Sequence, residues 1–162
     1  MRKWCLVCSI IVITLLIGCT SFKNVTSPLV DEFRQRMLAQ YSEIDQVKVS
    51  SAPILVHFLY TMKKQYSASE TKEIFLETRE FVKTPGFDSE VIHGEYFKAY
   101  KGEQNYPRIV SSFATKGNKE SDYAYRSDYD EKITSGPEQD STGYSTWYYN
   151  PNNGEMPVEV SD

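Results

Sequence analysis

Residues 47–60 read VKVSSAPILVHFLY, and this segment is rich in residues that favour β-strands. Val47 and Val49 alternate with polar residues, and a nearly continuous run of β-forming apolar residues follows from 54 to 60. Pro53 has no amide proton to donate to a neighbouring strand, so it marks a bulge, an edge or a break. The stretch predicts one strand of a central sheet, interrupted at Pro53.

The segments on either side of this strand predict helices. Ser27-Pro28 is typical of a helix start, because Ser caps free amide groups and Pro fits the first helical position. Apolar residues at spacings of three and four then continue to about residue 45. The pattern in 67–70 is a capping box before a second helix, which Pro85-Gly86 ends. Residues 88–100 are compatible with a short third helix or with a strand.

The later part of the chain has β-like patterns. Residues 108–115 and 144–149 are rich in β-forming residues, and residues 123–129 alternate with a period of two. The polar residues 134–143 predict a loop between the segments 123–129 and 144–149. The sequence shows no internal repeat. The order of elements predicts a single α+β domain, with a small antiparallel sheet and two or three helices on one face.

The N-terminus has the organisation of an export signal. Arg2 and Lys3 precede 14 uncharged, mostly apolar residues at 4–17. A transmembrane helix needs about 20 such residues, whereas a run of this length is typical of a signal peptide. The short run therefore favours a cleaved leader over the alternative of an uncleaved single-span anchor.

Leu16-Ile17-Gly18-Cys19 resembles the lipobox of bacterial lipoprotein precursors. The resemblance implies cleavage between Gly18 and Cys19 and a diacylglyceryl group on the Cys19 sulfur, with or without acylation of the new amino group. It implies a protein held by lipid on the extracytoplasmic face of the cell membrane. Thr20, where an Asp often signals inner-membrane retention, is compatible with outer-membrane sorting in a host with two membranes. The chain then divides into a signal peptide (1–18), a tether (19–27), one domain (28–150) and a loose C-terminal end (151–162).

The charge and cysteine content exclude several classes of function. The chain has 18 basic and 22 acidic residues, and residues 117–162 hold 3 basic and 10 acidic ones. Without a basic stripe, nucleic-acid binding has no electrostatic basis. The acidic end should face away from anionic lipid headgroups. Cys5 and Cys8 lie in the leader and Cys19 is expected to be lipidated, so neither a disulfide nor a thiolate metal site is expected.

The candidates for chemistry are sparse. His57 and His93 are in no sequence pattern typical of a catalytic triad or a zinc site. Asp128, Asp130 and Glu131 cluster, but the loop has only the first two ligands of a calcium-binding EF-hand and then no Gly. The sequence therefore predicts no metal and no cofactor.

Aromatic residues are the most distinctive feature of the later strands, with seven between 123 and 149. Tyr123, Tyr125 and Tyr129 alternate along a predicted strand, and Trp147 follows in the last one. These four form a candidate binding face for sugars or a protein, because Tyr and Trp combine apolar area with a polar tip. The alternative is cross-strand packing in the core.

The sequence predicts a membrane-anchored, non-enzymatic lipoprotein that binds an envelope protein or a wall component, or serves as an accessory factor. One alternative is a small envelope hydrolase that uses carboxylates or His57. Another is carbohydrate binding through the C-terminal aromatic strands.

Overall fold

In a computed structural model, residues 22–130, 143–152 and 154–160 are described. Their strands form one sheet in which spatial order follows chain order. The strands are β1 (Lys23–Asn24), β2 (Ile44–Ala52), β3 (Leu55–Met62), β4 (Arg108–Thr115), β5 (Tyr123–Ser127), β6 (Tyr148–Asn150) and β7 (Val158–Glu159). Neighbouring strands are antiparallel except β3 and β4, which run parallel.

The helices explain the parallel pair. They are α1 (Pro28–Gln40), α2 (Lys72–Val82), a π-helix (Phe87–Tyr96) and the short α3 (Phe97–Ala99). The last three lie between β3 and β4 in the chain and form the crossover that parallel strands require. The predicted α+β class is confirmed, but the sheet is larger than expected and is not purely antiparallel.

The central stretch forms a hairpin instead of one interrupted strand. Ala52 pairs with Leu55, so β2 and β3 are joined by the two-residue turn Pro53-Ile54. Ile54 has a φ of 64°, which is the left-handed conformation expected at the second position of a type II turn. Pro53 suits the first position because its ring fixes φ near that of such turns. The break predicted at Pro53 is therefore a reversal of chain direction.

Helix α1 begins where the sequence predicts, since Ser27 Oγ accepts a hydrogen bond from the Val30 amide at 3.2 Å. It ends at Gln40 and not near residue 45, because Ile44 already pairs with Met62 in the sheet. Sheet pairing overrides the continued helical spacing of apolar residues here.

The predicted capping box of α2 forms, but it does not start the helix. The Ser67 amide donates to Glu70 Oε2 at 2.8 Å, within a turn that precedes the helix. Helix α2 begins at Lys72, after Thr71. The local pattern therefore identifies the turn, and the helix follows it.

Phe58 of β3 lies at the centre of the core. Its ring centroid is 5.9 Å from that of Phe33 in α1, and 6.1 Å from those of Phe81 in α2 and Phe87 in the π-helix. Because all these helices contact the same strand residue, they pack on one face of the sheet, as predicted. The opposite face carries the other half of the alternating strand residues.

The two ends of the domain differ from the sequence-based boundaries. Lys23 pairs with Ser51 and Val25 is buried, so the fold includes residues assigned to the tether. At the other end β7 pairs with β6, and the Val160 amide donates to the Trp147 carbonyl at 2.8 Å. Residues 158–160 are thus part of the sheet and not a loose end.

Cys19 and the predicted leader lie outside the described residues, as does the predicted polar loop except for Gly143. Among the residues that the structure describes, none of the helices combines the length and apolar character needed to cross a bilayer.

Candidate binding pocket beside the π-helix

Three of the four aromatic residues proposed as a binding face lie in the core. Tyr123 is 6% exposed, Tyr125 is 5% exposed and Trp147 is 1% exposed. The rings of Tyr125 and Phe75 stack with centroids 3.8 Å apart, and Trp147 packs edge-on against Phe75 at 5.3 Å. The core interpretation therefore holds, and an exposed face formed by these three residues does not exist. The late strands have few Leu or Ile, so aromatic side chains supply the buried apolar area there.

Tyr129 is placed differently, beyond the end of β5. Its half-buried ring stacks on Tyr106 with centroids 3.9 Å apart and meets the edge of Tyr144 at 5.3 Å. Tyr144 is held in turn by a hydrogen bond that its hydroxyl donates to the Pro107 carbonyl at 2.7 Å. These three rings form a fixed aromatic cluster next to the start of the π-helix.

The π-helix brings Asp88 and His93 together. Its hydrogen bonds join residues five apart, so side chains at i and i+5 share a side of the helix. His93 Nε2 is 3.7 Å from Asp88 Oδ2 and 3.3 Å from the Tyr106 hydroxyl. Such helices are rare and usually one turn long, and they occur frequently at functional sites. This π-helix has ten residues, so the side chains that it brings together, Asp88 and His93, are candidates for a functional site.

A cavity of about 280 Å³ opens beside this cluster. It lies between the end of α2, the start of the π-helix and the segments around Tyr129 and Tyr144. The lining residues with polar side chains are Lys83, Thr84, Asp88, Tyr129, Tyr144 and Ser145. The walls are otherwise apolar, so the pocket combines buried surface with a few converging polar groups, as small-molecule sites do.

The phenols of Tyr106 and Tyr144 act as neutral hydrogen-bonding groups. Burial, followed by a hydrogen bond with Asp88, raises the pKa of Tyr106 to about 12. Burial also raises the pKa of Tyr144. Neither phenol ionises near neutral pH, so neither serves there as a base. A carboxylate and several hydroxyls at one pocket suit a ligand rich in hydroxyl or amide groups.

His57 lies elsewhere, on the sheet face opposite the helices. Its Nε2 is 2.8 Å from Ser112 Oγ, and Ser112 is 4% exposed. Burial, with a smaller effect of Lys48, lowers the pKa of His57 to about 4. An imidazole with this pKa is a weak base at neutral pH, and a buried hydroxyl is poorly accessible to substrate. The geometry of this pair does not support the hydrolase alternative that relies on His57.

The carboxylates considered for calcium are used in other contacts. Asp128 accepts a hydrogen bond from Arg108 Nε at 2.7 Å, and Asp130 accepts one from Ser145 Oγ at 2.8 Å. Glu131 lies outside the described residues. Within 22–130, 143–152 and 154–160, no three His, Cys, Asp or Glu side chains are grouped to hold a metal ion.

Comparison with protein-family models, with curated proteins and with solved structures yields no match. The function must therefore be inferred from the residues of this chain.

Sequence patterns did not identify the pocket. A search for helical periods of 3.6 does not place Asp88 beside His93, because it does not detect a spacing of five. Tyr106 lies outside the π-helix, so its contact with His93 depends on the tertiary fold. Tyr129 is the pocket residue that the sequence analysis does propose for binding. It is grouped there with residues of the core, whereas in the structure it packs against Tyr106 and Tyr144.

Proposed function

We propose that the chain is a bacterial lipoprotein, held on the outer side of a membrane by lipid on Cys19, and that its domain binds a ligand. The observation that carries the proposal is the motif Leu16-Ile17-Gly18-Cys19 at the end of a short charged-then-apolar leader. Two acyl chains on one residue give stable attachment, whereas a single chain holds only marginally.

Replacement of the lipidated residue tests the anchor. With Cys19→Ser, we expect the protein to leave the membrane fraction or to stay unprocessed, because no thiol remains to accept the diacylglyceryl group. Cys8→Ser is the matched control, since it removes a leader cysteine and should leave processing unchanged. Fractionation and intact mass provide the measurements. A Cys19→Ser protein of mature size that stays in the membrane fraction contradicts the proposal.

We further propose that the pocket beside the π-helix binds a polyhydroxylated glycan of the cell wall. Asp88 supplies a carboxylate acceptor for sugar hydroxyls, while Tyr129 and Ser145 supply hydroxyl groups. Apolar wall residues suit the C–H faces of sugar rings. Carbohydrate binding through an aromatic face that includes Tyr129 is one of the functions that the sequence predicts. Here the carbohydrate ligand and Tyr129 are kept, and the pocket replaces the rest of that face.

Titration with soluble N-acetylglucosamine oligomers tests glycan binding. We expect Asp88→Asn to weaken the affinity by about tenfold or more, since a hydrogen bond to a charged group contributes about 1.5–3 kcal/mol. Asp45→Asn is the control, because it makes the same change at a carboxylate that does not line the pocket. Asp45 forms an ion pair with Lys116, which does not line the pocket either. Isothermal titration calorimetry measures both. Equal affinity for the wild type and Asp88→Asn, or no binding by the wild type, contradicts this site.

A further inference from the structure

The end of the sheet next to the predicted anchor is a defined place in the fold. Lys23 pairs with Ser51 in antiparallel register, so continuing that register places Phe22 beside Ala52. Phe22 is three residues after Cys19, so an extended chain places their Cα atoms at most about 11 Å apart. A lipid on Cys19 therefore holds this end of the sheet close to the bilayer surface.

The turn at this end exposes apolar side chains. Ile54 is 68% exposed and Phe22 is 50% exposed. Ile54 also occupies a left-handed position that favours Gly or Asn, and its exposed side chain gains little from packing in the isolated domain. The turn is fixed in place, because the Ile54 amide donates to the Tyr96 hydroxyl and its carbonyl accepts from the Arg108 amide, both at 2.9 Å.

The surroundings of this turn are basic in an otherwise acidic molecule. Lys23 Nζ is 3.4 Å from the Ala99 carbonyl, which places residues 98–101 beside β1. The segments 22–24, 52–55 and 95–108 contain four basic residues and two acidic ones. These are Lys23, Lys98, Lys101 and Arg108, with Glu95 and Glu103. Arg108 is paired with Asp128, so the three lysines against the two glutamates leave an excess of one positive charge.

We propose that this end of the domain is a membrane-docking face, formed by Phe22, the turn Pro53-Ile54 and the three lysines. Its occupant is the anionic headgroup layer of the bilayer that holds Cys19, so the inference rests on the proposed lipid anchor. Exposed apolar side chains enter the interface while lysines contact anionic lipid. The acidic part of the chain, residues 117–162, contains the strands β5, β6 and β7. These strands lie on the side of the sheet away from β1. The edge strand β7 lies about 29 Å from β1 across six strand spacings.

Site-specific quenching tests the docking face. Because Cys19 is acylated and the leader is removed, a single introduced cysteine takes a fluorophore selectively. The lipidated protein with Ile54→Cys is reconstituted in vesicles of phosphatidylcholine and phosphatidylglycerol that contain a nitroxide lipid. The control is Val158→Cys, which is also exposed but lies on the opposite edge strand. We expect several-fold stronger quenching at residue 54 than at residue 158.

A charge-reversal pair separates docking from simple proximity. Lys98→Glu with Lys101→Glu should lower quenching at residue 54, because the reversed charges are repelled by phosphatidylglycerol. Lys63→Glu with Lys64→Glu makes the same charge change just after the opposite end of β3, and should leave quenching unchanged.

Equal quenching at residues 54 and 158, or equal effects of the two reversals, overturns docking if intact mass shows lipid on Cys19. In that case the lipoprotein proposal stands. A mass without lipid on Cys19 overturns both proposals.

Discussion

His57 links the stability of the domain to pH. Its pKa is lowered from 6.5 to about 4 by burial, and to a smaller extent by Lys48, so the folded state favours the neutral imidazole. Between these values the unfolded chain binds a proton that the folded chain does not. The stabilisation is therefore complete above pH 6.5 and is lost as pH falls toward 4.

Replacing His57 with Gln removes this proton uptake and should flatten that part of the pH profile. Between pH 7 and 5 we expect the wild type to lose about 1–2 kcal/mol more stability than His57→Gln. Urea unfolding at the two pH values measures the difference. Parallel profiles for the wild type and His57→Gln would show that His57 does not carry the effect.

At the level of elements, the sequence predicts what local residues determine. The start of α1 at Ser27-Pro28 and the strand 108–115 match the structure because a cap and a β-rich run are local signals. The end of α1, the parallel pairing of β3 with β4 and the hairpin at Pro53-Ile54 depend on which strands pair. One sequence does not contain that information in any short window.

The candidate site likewise depends on contacts that a short window of sequence does not reveal, and the π-helix is an example. Residues 88–100 were compatible with either a helix or a strand, and the structure has the π-helix and α3 there. Asp88 meets His93 only because the turn is wider than an α-helix, and Tyr106 joins them from outside the helix. The predicted face failed for a related reason, since alternation cannot tell which side of a strand meets the helices.

Substitution of Gly94 tests whether the π-helix leaves room for a side chain at this position. A Cβ atom there would lie 3.2 Å from the Ser89 carbonyl oxygen, five residues earlier, so the backbone would have to shift. In an ordinary helix Gly→Ala stabilises by about 0.5–1 kcal/mol. We expect Gly94→Ala instead to be neutral or destabilising in urea unfolding. Gly102→Ala is the control, because its Cβ would meet nothing within 4 Å. A stabilised Gly94→Ala variant would contradict the steric limit.

One hydrophobic core joins the helices to every long strand. The same cluster includes Val25 near the first strand, Phe58 in the centre and Trp147 near the last strands. Late aromatic side chains are thus continuous with the early aliphatic ones. A domain of this size with one core should unfold in a single step.

Trp147 makes this cooperativity measurable. Trp4 lies in the predicted leader, so Trp147 is the single tryptophan of the remaining chain, and it is almost fully buried. We expect its emission to shift to the red on unfolding, at the same urea concentration at which far-ultraviolet circular dichroism reports loss of helices. Trp147→Phe serves as the control, because it removes the signal while the dichroism transition stays cooperative. A red shift at lower urea than the dichroism change would instead mean that β6 and β7 detach first. The C-terminal aromatic residues would then form a separate unit and not part of the common core.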